Sequence, residues 1–329
     1  MNFKVWNGLA GRKTLVVLGA GASRGASFVQ DSHYEARPPL DHDFFSEMQR
    51  IKQSSGDKEN VDGLLQFVRK EFGFNLTLSM EQFFSQVEAT DSFHKGIKID
   101  AGRKNDRYRK ALEQFHRSLP ILFRQAIGDS SCEYHEKLVT RLSSKDVILS
   151  FNYDCLIETA LQKEVKSRWN PGEGYGFTAH GNVKSWPSRK GITLLKPHGS
   201  LNWNIDAGAK VTTLEAKPYD ISTAKGRIIP PTWFKNIEKY PYEDVWKRAR
   251  REIRECTALI VIGYSIPPTD LFSRILFRID IKTIEFLVIA NPNFSHRQKF
   301  LDLINDKMAK NARIVEFDNL EKLAKSLSP

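Results

Sequence analysis

The sequence predicts an α/β chain: a doubly wound, mostly parallel sheet with an inserted helical module. Three observations carry this. Short runs that are apolar throughout recur at 14–18, 146–150, 192–195, 258–262, 285–290 and 312–317. Strands buried on both faces of a parallel sheet have this composition, whereas half-exposed strands alternate. Amphipathic stretches lie between several runs, as crossover helices require. Glycines follow the first run directly, at Gly19 and Gly21.

The elements follow in order. Residues 14–18 (Thr-Leu-Val-Val-Leu) form the first strand. The stretch 42–142 then changes character and reads as helical, with stripes of Phe44, Phe45 and Met48, of Leu64, Leu65, Val68 and Phe72, and of Tyr108, Leu112, Phe115, Leu119 and Leu122. Pro120 interrupts the last stripe, where a bend is expected. Ser79 and Gln82 have the spacing of a capping box ahead of Phe83, Phe84 and Val87. This divides the chain into a core made of 1–41 and 143–329 and a helical module at 42–142. Later helices are expected over 154–163, with Leu156, Ile157 and Ala160 inward, and over 243–256, with Val245, Trp246, Ala249, Ile253 and Cys256 inward. The segments 164–191 and 203–227 are rich in Gly, Pro, Asn and Lys and read as loops.

Composition narrows the function classes. Of 329 residues, 50 are Lys or Arg and 39 Asp or Glu, so the net charge is +11. With 40% apolar and 27% charged residues this is an ordinary globular composition, not a disordered one. The cysteines Cys132, Cys155 and Cys256 are far apart, which argues against a disulfide framework or a four-cysteine zinc site. No apolar run approaches the ~20 residues of a membrane span. The first residues lack the apolar stretch of a signal peptide, so a cytoplasmic location is expected.

The glycine loop reads Gly19-Ala20-Gly21-Ala22-Ser23-Arg24. Glycines at a strand end permit a tight turn and close approach to a pyrophosphate, with helix-start amides facing the anion. The dinucleotide fingerprint asks for a third glycine where Arg24 stands, and Gly25 comes one residue late. No acidic residue marks a second-strand position either. The loop therefore belongs to a nucleotide-binding lineage other than the ordinary dehydrogenases, or is a turn without a ligand.

Three further segments each follow an apolar run, where open α/β sheets place ligands. They are Ser150-Phe151-Asn152-Tyr153-Asp154, Lys196-Pro197-His198-Gly199-Ser200 and Gly263-Tyr264-Ser265-Ile266-Pro267-Pro268-Thr269-Asp270. In this order, with the glycine loop, the set resembles the Sir2 (sirtuin) superfamily. It is most similar to a branch of bacterial NAD-cleaving effectors of anti-phage defence that lacks the zinc module. The resemblance covers roughly 12–35, 145–203 and 228–318. It implies a Rossmann-like core, NAD as substrate and no metal. The chain departs from deacylating sirtuins in two ways. It has no paired Cys-x-x-Cys units, and it carries Arg37-Pro38-Pro39-Leu40-Asp41-His42-Asp43-Phe44 where they have a Pro-Asp-Phe-Arg segment. The Asn and Asp of their Asn-Ile-Asp loop are kept as Asn152 and Asp154.

The resemblance implies roles residue by residue. Asn152 would lie near the ribose and nicotinamide and orient a water, its amide being both donor and acceptor. His198 would be the catalytic histidine, accepting a proton from a ribose hydroxyl or water; the lesser alternative is a turn histidine bonding backbone. Asp154 would bond the nicotinamide carboxamide, and it also stands where a helix cap belongs. Gly19, Ala20, Gly21, Ser23 and Arg24 would hold phosphate, with Arg24 otherwise a surface charge. Gly263 and Ser265 would line the diphosphate and adenosine ribose. Asn291, in Ala290-Asn291-Pro292-Asn293, would touch that ribose or simply make the turn before proline. Asp270 is expected to cap a helix, and Asp43 and Glu81 to complement helix dipoles.

Two function classes compete with NAD cleavage. One is NAD-dependent protein deacylation or ADP-ribosylation; the other is a non-catalytic nucleotide-sensing subunit. The resemblance further implies a homo-oligomer, a partner defence protein of the HerA-type ATPase or Argonaute-like kind, or both, with contacts through the helical insertion. The chain is short for a separate sensor. The basic run Lys247-Arg248-Ala249-Arg250-Arg251-Glu252-Ile253-Arg254 suits nucleic acid or, given its acids and apolar face, a solvated surface.

Overall fold

The computed structural model describes residues 5–30, 36–51, 57–73, 76–97, 102–177, 191–205, 211–213, 227–230, 237–268 and 270–327. Six parallel strands make the central sheet: β1 (Thr14–Leu18), β2 (Val147–Ser150), β3 (Thr193–Leu195), β6 (Ala258–Ile262), β7 (Ile284–Ala290) and β8 (Met308–Phe317). β4 (Trp203–Ile205) and β5 (Val211–Thr213) form a separate antiparallel ribbon. Every residue of β1, β2, β3 and β6 is buried, which is why these runs carry no alternation. The fold is the doubly wound α/β sheet expected.

The spatial order is β3-β2-β1-β6-β7-β8. The chain starts at the centre, winds outward through β2 and β3, returns beside β1 as β6, and winds outward again. The direction of winding therefore reverses between β1 and β6, and sheets of this kind bind ligands beyond the strand ends at such a point. The strand ends are in register: Leu18 pairs with Ser150 on one side and Ile262 on the other, and Ile262 pairs with Ala290. The ladder continues past them through Phe151 N–H to Leu18 C=O at 2.9 Å, Gly19 to Ile262 at 3.0 Å and Gly263 to Ala290 at 2.8 Å. At the opposite edge Asp146 locks β2 to β1. One carboxylate oxygen accepts from Thr14 N–H at 3.0 Å and the other from Ser143 N–H at 2.7 Å.

The segment between β1 and β2 holds the helices Phe44–Gln49, Lys58–Phe72, Met80–Ile97, Gly102–Ala126 and Glu133–Thr140. Their apolar stripes meet around Phe115. Its ring stacks with Phe44 at 5.3 Å and Phe83 at 5.6 Å and meets Phe84 edge-on at 4.7 Å. These aromatics are core, as their helical spacing predicts. The capping box is present, with Ser79 N–H donating to Gln82 at 2.9 Å and Gln82 N–H to the Ser79 hydroxyl at 3.1 Å.

Two expectations change. The segment 203–227 is not loop throughout, because Trp203–Ile205 pairs with Val211–Thr213; Trp203 is buried against Phe177 at 5.0 Å and drives that pairing. β8 starts at Met308, earlier than the apolar run at 312 suggested, because its first residues are mostly half-exposed or exposed. In the other stretch read as loop, 164–191, Glu164 ends the helix Leu156–Glu164, 165–177 is irregular with turns, and 178–190 lies outside the described residues.

The basic run lies on the helix Tyr242–Glu255, whose inner face buries Val245, Trp246, Ala249 and Ile253. All five cations are ion-paired: Lys247 with Glu243, Arg248 and Arg251 with Glu252, Arg250 and Arg254 with Asp280. Such pairing describes a solvated, self-compensated surface. Among the described residues no helix is long and apolar enough to cross a membrane.

Candidate functional site

The loops after β1, β2, β3 and β6 leave the same edge of the sheet, and their side chains bond to one another. Asn152 is central. Its side-chain N–H groups donate to the Gly19 carbonyl at 2.9 Å and to the Ser23 hydroxyl at 3.0 Å. Ser23 in turn donates to Asp154 at 2.6 Å, and the other Asp154 oxygen accepts from Leu156 N–H at 3.1 Å. The glycine loop is thus anchored to the β2 loop. Asp154 caps the start of the helix Leu156–Glu164 and also clamps Ser23. The Asn152 side-chain oxygen is left buried without a hydrogen-bond partner, although the residue is only 8% exposed. A buried acceptor without a donor is costly and calls for an explanation, and at a strand end facing a ligand crevice a bound group supplies one.

The glycines have a use that the spacing did not reveal. Gly21 N–H donates to the Gly263 carbonyl at 2.9 Å, so the β1 and β6 loops pack backbone on backbone. A Cβ on Gly263 would stand 2.2 Å from the Ala22 nitrogen, and its φ of +59° is left-handed. With Gly19, Gly21 and Ala22 amides bonded to Ile262, Gly263 and Gly19 carbonyls, the loop amides expected to face a phosphate have protein acceptors. Gly263→Ala is expected to cost about 1–3 kcal/mol from the left-handed backbone and a similar amount from overpacking. A urea unfolding midpoint unchanged from wild type would contradict this.

Arg24 is neither a bare surface charge nor pointed at an open phosphate site. Its guanidinium is ion-paired with Asp43 and, at 2.9 Å, with Glu47. These acids sit where the chain enters the helical segment, so Asp43 does more than complement a dipole. The Arg24 Nε remains buried without a hydrogen-bond acceptor.

On the β3 loop, His198 is 4% exposed and ringed by Phe151 at 5.1 Å, Tyr153 at 6.4 Å and Trp246 at 6.5 Å. Phe151 stacks on Tyr264 at 4.6 Å, joining the β2 and β6 loops. The Tyr153 hydroxyl donates to the Ile229 carbonyl at 3.1 Å, while Ile229 N–H donates to the His198 carbonyl at 2.8 Å. His198 is therefore flanked by both chain neighbours of Asn152, Phe151 and Tyr153.

Asp270 was legible only as a cap. It does cap the helix Leu271–Ile275, accepting from Ser273 N–H at 3.2 Å. It also lies fully buried with an oxygen 3.0 Å from His198 Nε2. Burial first, and the Asp270 charge second, hold the phenols of Tyr153 and Tyr264 well above their ordinary pKa. Thr269, the neighbour in that motif, lies outside the described residues.

The remaining predicted residues are peripheral. Ser265 is half-buried in the β6 loop. Asn291 makes the turn before proline, accepting from Asn293 N–H at 2.9 Å, and reaches the Tyr264 carbonyl at 3.5 Å. Ala20 begins the short helix Ala20–Arg24.

One participant had no assigned role. Lys196 is fully buried beneath the β2 and β3 loops, its ammonium donating to Asp154 C=O at 2.5 Å, Glu158 at 2.7 Å and Ser200 at 2.8 Å. Tyr175 also donates to Glu158, at 3.1 Å. Burial is the largest single influence and lowers the lysine pKa, but the Glu158, Cys155 and Asp154 charges and the Glu158 hydrogen bond together outweigh it and the pKa is raised. A lysine ending an apolar run was the available signal.

Residues 146–279 match the SIR2-like domain. Asn152, Asp154, His198, Gly263, Ser265 and Asp270 all fall inside this SIR2-like segment, whereas the glycine loop lies before it. No curated protein matches the chain. Solved structures similar to it include one described as a Sir2 homolog–NAD complex, 15% identical, covering 98% of this chain and 91% of the other at a TM-score of 0.44. Another comes from work on the mechanism and regulation of Sir2 enzymes, 13% identical, covering 99% and 98% at a TM-score of 0.42.

Proposed function

We propose that the chain is an NAD glycohydrolase, splitting NAD into nicotinamide and ADP-ribose. One observation carries the reading. The buried, unpartnered oxygen of Asn152 sits in a loop cluster at the reversal point of the sheet, one residue from the aromatic that contacts His198. The SIR2-like segment supports the choice of NAD.

Breaking the bond to nicotinamide releases a neutral base and leaves positive charge on the ribose. The protein's task is to position the dinucleotide and to favour that charge. Asn152 supplies an amide oxygen for the ribose end or an attacking water, its N–H groups being held by Gly19 and Ser23. His198 supplies an imidazole that accepts a proton from a ribose hydroxyl or that water. Asp154 is occupied in holding Ser23 and the helix start, so its contribution is to fix the loop on which Asn152 rides.

We extend the reading to a zinc-free, cytoplasmic, NAD-depleting effector of anti-phage defence that works as a homo-oligomer or with a partner ATPase or Argonaute-like protein. The test is NAD consumption by purified wild-type and His198→Ala protein, alone and with the products of adjacent genes. Nicotinamide release by wild type and a loss of about 10²–10⁴-fold in the variant are expected. NAD left intact by the wild type under every combination would refute the activity. Release that depends on an acetyl-lysine peptide would move the chain to the deacylases.

A further inference from the structure

Resting on the reading above, we propose that Asp270 is the positioning residue of His198: it holds the imidazole with its proton on Nε2 and so makes Nδ1 the basic nitrogen. The carboxylate is fully buried and one oxygen lies 3.0 Å from Nε2, an ion-pair approach off the line of a hydrogen bond. A negative charge this close repels the lone pair of a bare ring nitrogen and favours the N–H form there, and an ionised carboxylate can only accept. In neutral imidazole the other nitrogen is then the acceptor, and the partner of one nitrogen sets the chemistry of the other.

Asp270 is itself oriented. One oxygen accepts from Ser273 N–H at 3.2 Å, and the oxygen beside His198 also accepts from the Ser273 hydroxyl at 2.6 Å. The β6 loop and the helix after it thereby aim a charge at the β3 loop. Phe151, Tyr153 and Trp246 flank the ring, and the histidine is buried with them.

This geometry makes Asp270→Asn an informative substitution. Asparagine caps helices as well as aspartate does, so the helix start is kept. The oxygen bonded to Ser273 N–H must remain an oxygen. The new NH2 therefore falls at the position 3.0 Å from Nε2. A donor there demands a bare Nε2 and drives the proton to Nδ1, removing the base.

The test uses the full chain labelled with ¹⁵N-histidine, the His198 signal being identified by its loss in His198→Ala. Two-bond ¹H–¹⁵N correlation spectra should show the Nε2–H tautomer in wild type and the Nδ1–H tautomer in Asp270→Asn. NAD cleavage by the variant should fall by about 10²–10⁴-fold in kcat with KM within about threefold, since substrate contacts are untouched. An Nδ1–H tautomer in wild type overturns the assignment, whether or not the variant folds. So does a folded Asp270→Asn protein with wild-type kcat. If wild type shows the Nε2–H tautomer but never cleaves NAD, the activity fails while the pairing stands.

Discussion

In Asn152→Ala, NAD cleavage should fall by about 10²–10³-fold, the usual loss when one oriented polar group of a reaction site is removed. The side chain has two functions, and two substitutions separate them. Alanine removes both the unpartnered oxygen and the N–H bonds to Gly19 and Ser23. Aspartate restores an oxygen but sets a negative acceptor against the Gly19 carbonyl, beside the Asp154 that already receives Ser23. Asn152→Asp should therefore be at least as inactive as alanine and less stable. Nicotinamide release measured beside a urea unfolding curve checks both points. An Asn152→Ala protein with wild-type turnover would remove this residue from the chemistry.

Lys196→Met should destabilise the fold by about 3–5 kcal/mol, the cost of stranding a buried charge. The charge is Glu158, whose carboxylate loses its only ion-pair partner among the described residues. Adding Glu158→Gln to Lys196→Met should recover much of the loss, since two neutral groups replace a stranded one. Equal midpoints for wild type and single variant would contradict this. The pH dependence has a definite sign. The Lys196 pKa is raised in the fold, so its contribution is complete below the unfolded-state lysine value and fades as pH climbs through the folded one. Wild type should weaken in strongly alkaline solution by a step that the double variant lacks.

The fold was readable because fully buried strands advertise themselves. The runs at 14–18 and 258–262 coincide with β1 and β6, having neither polar alternation nor ambiguity. The ribbon of Trp203–Ile205 and Val211–Thr213 was hidden for the opposite reason: it is short and surrounded by loop-forming residues, and a buried tryptophan decides it. At the site, sequence spacing brought Asn152, Asp154 and His198 forward as strand-end residues, and the strand ends do align. It could not show which hydrogen bonds those residues already make with one another. Ser23 and Arg24 look like phosphate ligands on paper, yet Ser23 faces Asp154 and Arg24 faces Asp43 and Glu47, partners distant in the chain. Asp270 shows the same limit. Its capping role is local and was foreseen, whereas its approach to His198 depends on how two loops meet.

The seam at Gly21 and Gly263 has a consequence for anyone wishing to redesign this molecule. Main chain meets main chain there, so no side chain is present to be trimmed, lengthened or recharged. Substitution can only wedge the two halves of the sheet apart. Any retuning of what the molecule accepts has to be made on the β2 and β3 loops, where side chains face one another.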